Sequence, residues 1–218
     1  MSTTTTRPVA VRRSSAPSTR RARAAESFRT AAECIGPIVA GLSLFAVTRG
    51  QFSMVDAVVH VINELGPSRV SLWTWTIADY EVNVFNDLMR NDKITAGRLI
   101  IDQGARMKNR DLIRAWQGQF GSESVRYVLN HAKIATIEGG GRRVLVRGSM
   151  NLNFNPRFEQ LDVTEGGPDF DLVREIESEL PVLSDDASGA DAYRASRVSE
   201  AFNKEELALF SHLKVWAK

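Results

Sequence analysis

The chain has 218 residues, 43% of them hydrophobic, which suffices for one domain with a buried core and excludes wholesale disorder. Its formal charge of +2 hides an asymmetry: residues 1 to 29 hold seven arginines (Arg7, Arg12, Arg13, Arg20, Arg21, Arg23, Arg29) against one acid, Glu26, so the remainder is net acidic. One cysteine, Cys34, excludes an intramolecular disulfide framework and a Cys-rich zinc site, and it fits a reducing compartment with the cytoplasm as the default.

Residues 1–33 are mostly Thr, Ser, Arg, Ala and Pro, with too few large apolar side chains to offset the entropy of ordering. They read as a basic disordered arm, a layout common in proteins that meet a polyanion, with a merely solvated tail as the plainer alternative. The longest apolar run, Ile35 to Val47, contains Pro37 and falls short of the ~20 residues that cross a bilayer as a helix, so no membrane segment is expected. Glu26 and Glu33 interrupt the charged region and argue against a secretory signal.

Residues 34–183 read as one α/β domain. Leu42 to Val47 has strand length and stops at Arg49-Gly50. Ser53 can cap a helix with Asp56 at its third position, Met54, Val58, Val61, Ile62 and Leu65 face inward, and Gly66-Pro67 ends it. Val70 to Thr76 is a buried strand, after which Asp79 can cap a helix burying Val84, Phe85, Leu88 and Met89. Arg98 to Asp102 is a further strand. A helix with Leu112, Ile113, Trp116 and Phe120 ends at Gly121, and Val125 to Leu129 is again a strand. This alternation predicts an α/β/α sandwich with a mixed, largely parallel central sheet. Trp73, Trp75 and Trp116 read as core and pocket-wall residues rather than base-stacking platforms.

His131 to Ile137 and Arg143 to Arg147 then form a hairpin joined by residues 138–142. Asp169 can cap a helix with Phe170, Val173, Ile176 and Leu180 on one face, and residues 184–218 read as a linker followed by a helix capped at Asn203. Period-two geometry places His131, Lys133 and Ala135 on one face of the first hairpin strand, and Ser149, Asn151 and Asn153 on one face beyond the second. If the hairpin pairs in register these groups converge. A cluster of His, Lys, Ser and Asn suits an anionic, oxygen-rich ligand such as phosphate better than a metal ion.

His131-Ala-Lys133, four residues to an acid at Glu138, then Gly148-Ser149-Met-Asn151, resemble the signature of the phospholipase D superfamily. Asn155-Pro-Arg-Phe-Glu159, followed by Gln160-Leu-Asp-Val163, resembles the further Asn/Glu pair that this family carries, and the likeness spans roughly residues 40 to 182. Two departures stand out. The acid is Asp in the family pattern and Glu138 here, and nine residues separate it from Gly148 where the family usually shows about six, which reads as an enlarged hairpin tip.

The resemblance implies a phospholipase D-like fold and a metal-independent, cofactor-free phosphodiesterase, most readily a DNA endonuclease. His131 would be the nucleophile that forms a phosphohistidine, since neutral imidazole is abundant near pH 7. Lys133 and Asn151 would hold the non-bridging oxygens, Ser149 would add a hydrogen bond, and Glu159 would orient the imidazole, with Glu138 the motif's more structural acid. Protonating the leaving group needs a second histidine. His212-Leu-Lys214 lies on an expected helix without a following Gly-Ser segment, and His60 sits mid-helix, so one usable copy implies a homodimer with a shared site. Arg142 and Arg143 join Arg7, Arg12, Arg13, Arg20, Arg21 and Arg23 as candidate nucleic-acid contacts. The alternatives are a catalytically degenerate nucleic-acid-binding dimer and a lipid-cleaving enzyme. The absence of a lipid-anchoring helix weakens the latter and leaves no membrane partner expected.

Overall fold

The computed structural model describes residues 21–24, 28–75, 77, 79–150, 152, 157–183 and 191. In chain order the elements are β1 (Arg21–Arg23), α1 (Ala31–Ile35), β2 (Ser43–Thr48), α2 (Met54–Leu65), β3 (Ser68–Thr74), α3 (Asp79–Arg90) and β4 (Ile94–Asp102). A 3-10 turn (Gln103–Asn109) leads directly into α4 (Arg110–Phe120), followed by β5 (Val125–Val128), β6 (Lys133–Gly139), β7 (Arg142–Gly148), β8 (Glu159–Glu165) and α5 (Pro168–Glu179). None of the described helices is long and apolar enough to cross a membrane.

The eight strands form one mixed sheet in the order β1-β2-β8-β7-β6-β3-β4-β5. The expectation of a largely parallel sheet is corrected. Only β1/β2, β3/β4 and β4/β5 run parallel, while β2/β8, β8/β7, β7/β6 and β6/β3 are antiparallel. The physical reason lies in the connections: parallel neighbours need a crossover, and after β5 no helix intervenes among the described residues until α5, so β6, β7 and β8 fold back on one another. The sequence pattern of alternating strand and helix had ended at β5.

Strand alternation sorts the side chains onto two faces. Val70, Leu72, Leu99, Ala135, Ile137, Val144 and Val146 join buried residues of α1, α2, α3 and α4 in one large core. On the opposite face Leu145, with Trp73 and Ile134 beside it, packs on Phe170 and Val173 of α5. The chain is therefore a mixed α/β structure with helices on both faces of its sheet. The Ser53 and Asp56 capping box is present, and Gly66 and Gly121 terminate α2 and α4 as their left-handed φ values of 80° and 85° require.

Other expectations change. Arg21 and Arg23, assigned from sequence to a disordered arm, pair in parallel with β2 at Leu44 and Ala46, and Phe28 is buried against Phe52 with ring centroids 5.7 Å apart. The outer edge of β2 offers unpaired backbone groups, which a strand can satisfy without apolar side chains of its own. Arg7, Arg12, Arg13 and Arg20 lie outside the described residues, as do Asn203 and His212. The hairpin tip is not enlarged: Glu138 pairs with Arg143 and Gly139 with Arg142, so a two-residue Gly140-Gly141 turn suffices and the extra residues lengthen the strands. Both glycines have positive φ, as that turn demands. Asp169 does not cap α5. Pro168 opens the helix, Asp169 instead meets Arg147 at 2.8 Å, Ile176 is 40% exposed, and Leu180 lies past the helix end.

The residue that α5 turns inward is Glu177, fully buried. Its carboxylate accepts from Ser71 Oγ at 2.5 Å, Trp73 Nε1 at 2.7 Å and Arg174 Nη1 at 2.6 Å, while its carbonyl accepts from Arg98 at 3.1 Å. A buried carboxylate is tolerable only when bonded this fully. Glu177→Ala leaves Arg174 with Glu138 alone and strands the Ser71 and Trp73 donors, and is expected to cost about 3 kcal/mol, read as a lower midpoint in urea denaturation with an unchanged slope.

Candidate active site

β2, β3, β4, β5 and β7 all point the same way, and β6 and β8 begin where those strands end. One edge of the sheet thus collects the segments after Thr74, Asp102, Val128 and Gly148. Ligands of open α/β sheets bind outside this carboxyl edge. His131 lies here, exposed, in the link between β5 and β6, and Lys133 is the first residue of β6, only 6% exposed.

Hydrogen bonds hold that link. Asp102 accepts the backbone N–H of Asn130 at 2.9 Å and that of Gly104 at 2.9 Å, and the buried Asn130 side chain accepts from Ala132 N at 2.9 Å and donates to the Ala132 carbonyl at 3.2 Å. The imidazole between them is held against Lys133, whose Nζ is 3.1 Å from Nδ1 and 3.3 Å from Nε2, and which donates to the His131 carbonyl at 2.7 Å. An ammonium only donates, so the ring nitrogen that lacks a proton in a neutral imidazole, the nucleophilic form, is the one it can favour. Burial lowers the Lys133 pKa from its ordinary 10.5, with the Glu159 carboxylate opposing that shift.

The expected partners arrive by a different route. Opposite Lys133 in the hairpin stands Gly148, and Gly148 also pairs with Leu161 of β8. A Cβ at Gly148 would collide with the Gln160 carbonyl, so only glycine lets β7 and β8 close here. Ser149 follows just beyond the strand end, where its N–H donates to the Gln160 carbonyl at 3.1 Å and its Oγ accepts the Gln160 N–H at 3.0 Å. Its hydroxyl proton goes to the Glu159 carboxylate. Ser149 thereby fixes Glu159, whose charge in turn favours the ammonium of Lys133.

Asn151, Asn153 and Asn155 lie outside the described residues. Glu138 is not brought to the cluster: it sits toward the opposite end of β6, on the other face from Lys133, with its carboxylate 3.3 Å from Arg174 Nε of α5. Arg142 and Arg143 are at that far end too, paired with Glu165 at 3.7 Å and with Asp171. His60 Nε2 donates to the Gly36 carbonyl, 2.8 Å away, a structural contact between α1 and α2.

Sequence reasoning missed Trp75 and Lys108. Trp75 is 40% exposed with its ring 6.2 Å from the imidazole, and Lys108 Nζ lies 6.0 Å from the centre of the same ring. Buried Asn109 positions both, since its side chain accepts the Ile77 N–H at 2.9 Å and donates to the Ala105 carbonyl at 2.6 Å. The alternation of the third strand hid Trp75 as one more core residue; its place just past the strand's last paired residue was the available signal. Among the described residues no group of three His, Cys, Asp or Glu side chains could hold a metal ion. A scan against protein-family models finds no match, and a search of curated proteins finds none.

Gly148→Ala tests the geometry. The variant must push β7 from β8, at an expected cost of about 1–3 kcal/mol, and Lys133 should titrate closer to its ordinary value as the pocket opens, measurable by NMR of 15N- or 13C-labelled lysine.

Proposed function

We propose that this chain is a phosphodiesterase of phospholipase D-like architecture that hydrolyses nucleic acid, DNA foremost, through a phosphohistidine at His131, and that it acts in the cytoplasm. The observation that carries the reading is the buried Lys133 ammonium 3.1 Å from the His131 imidazole at the carboxyl edge of the sheet. The motif residues around it, Gly148, Ser149 and Glu159, meet there through strand pairing and hydrogen bonds. The mixed sheet with helices on both faces is compatible with that architecture.

The chemistry follows from these groups. The lone pair of a neutral imidazole nitrogen attacks phosphorus, a P–N bond forms, and the P–O bond to the leaving group breaks. One Lys133 donor rests on the His131 carbonyl, and the ammonium can turn its others from the imidazole to the non-bridging oxygens as charge grows on them. The departing oxygen takes its proton from an imidazolium. His60 is tied into the helical layer, so that imidazolium is the His131 of a second copy, which then accepts a proton from the water that hydrolyses the phosphohistidine. No metal or cofactor takes part in this scheme.

Cleavage of plasmid and single-stranded DNA in excess EDTA is the direct test. His131→Ala should abolish it, and Lys133→Ala should lower it about 10²–10³-fold; DNA binding without cleavage would favour the degenerate binding dimer instead. In wild-type protein the rate should fall as pH rises through the Lys133 pKa, with the alkaline limb below 10.5, because only the ammonium serves. Lys133→Arg should remove that limb, as followed with bis(p-nitrophenyl) phosphate. When wild-type and His131→Ala chains exchange subunits freely, activity should follow the square of the wild-type fraction; a linear dependence rules out a shared site.

A further inference from the structure

Beside the site, between the 3-10 turn, α4 and β5, lies a cavity of about 360 Å³ lined by Arg106, Arg110, Arg114, Gln117 and Tyr127 among others, with no acidic side chain in its wall. The three arginines recur at four-residue intervals and therefore stack along one helical face, where like charges repel. By contrast, Arg142, Arg143, Arg147 and Arg174 each meet a carboxylate. Among the described residues no carboxylate comes within ion-pair distance of Arg106, Arg110 or Arg114. The Arg106 guanidinium lies over the Tyr127 ring at 5.8 Å, and its Nη1 is enclosed without a hydrogen-bond partner. A cavity walled by three guanidinium-bearing side chains and no carboxylate favours an anion from outside the chain.

A chain of neighbouring side chains links the cavity to the candidate active site. Met107 and Lys108 follow Arg106 in the same turn, Lys108 stands over Trp75, and Trp75 stands beside His131. Tyr127 and His131 are four residues apart on β5 and the link after it. We infer that the Arg106, Arg110 and Arg114 cavity is a second phosphate subsite, which grips the backbone of the nucleic-acid strand at a phosphate away from the one attacked by His131, with the exposed Trp75 ring stacking a base between. The substrate class rests on the function proposed above; the grip itself rests on the arginines. Guanidinium groups match phosphate oxygens in pairs, and an exposed indole stacks on any base.

The test is oligonucleotide binding by the full chain in a His131→Ala background with EDTA, followed by fluorescence anisotropy across a range of salt concentrations. Arg110→Gln/Arg114→Gln, both at exposed positions, should weaken binding of a labelled single strand about tenfold or more. The slope of log affinity against log salt should flatten by about 0.7 for each phosphate that the variant no longer neutralises. Arg90→Gln/Lys93→Gln removes the same charge elsewhere and should change neither quantity comparably. Equal weakening in the two double variants, or an unchanged slope in the first, overturns the subsite. Displacement of the strand by millimolar inorganic phosphate at constant ionic strength marks a small-anion pocket and overturns it too. Arginine-dependent binding by a wild-type chain that never cleaves DNA overturns the proposed hydrolysis alone and leaves the subsite standing.

Discussion

The pairing of Lys133 with Gly148 is the constraint on which the rest of the site depends. It joins the first residue of β6 to the last of β7, and Gly148 pairs again with Leu161, so three strands meet at one point of the carboxyl edge. The approach of the Gln160 carbonyl leaves no room for a side chain at Gly148. Because that one position is bare, Lys133 emerges beneath His131 while Ser149 and Glu159 close in from β7 and β8. A larger residue would separate the strands and with them the groups they carry.

Burial then sets the chemistry of that point. Lys133 is 6% exposed, and removing its ammonium from water disfavours the charge, which is the main reason its pKa drops. Glu159 partly restores the charged form, and Ser149 holds Glu159 in place. A cation held in low dielectric interacts strongly with an approaching phosphate, since little solvent screens it. The same desolvation would be a liability anywhere without an anion to meet.

The arginines divide by face and edge. Those at the hairpin tip and along α5 are consumed within the protein: Arg142 and Arg143 by Glu165 and Asp171, and Arg174 by Glu138 and the buried Glu177. Arg143 and Arg174 thereby tie α5 to the sheet. Those along the 3-10 turn and α4 answer to no carboxylate among the described residues. The near-neutral total of +2 thus describes two populations, one spent on holding layers together and one facing outward beside His131.

Local signals were legible before any tertiary contact was known. The Ser53 and Asp56 cap, the glycine stops at Gly66 and Gly121, the inward stripe of α4 and the hairpin at 131–147 each rest on neighbours in sequence, and each stands in the structure. The proximity of His131 and Lys133 was legible for the same reason, being two residues apart at a strand start. What the sequence could not decide was partnership between distant elements. Periodicity records which face of a strand is buried but not the direction of its neighbour, so the antiparallel pairings of β6 with β3 and of β8 with β7 and β2 were out of reach. Nor does local apolarity register backbone pairing, which is how Arg21–Arg23 found β2. Only the folded sheet put Trp75 and Lys108 beside His131, carried Glu138 to the far end of β6, and turned Glu177 inward onto Trp73. Each of these joins groups far apart in the chain, and their energies depend on distances that no local pattern encodes.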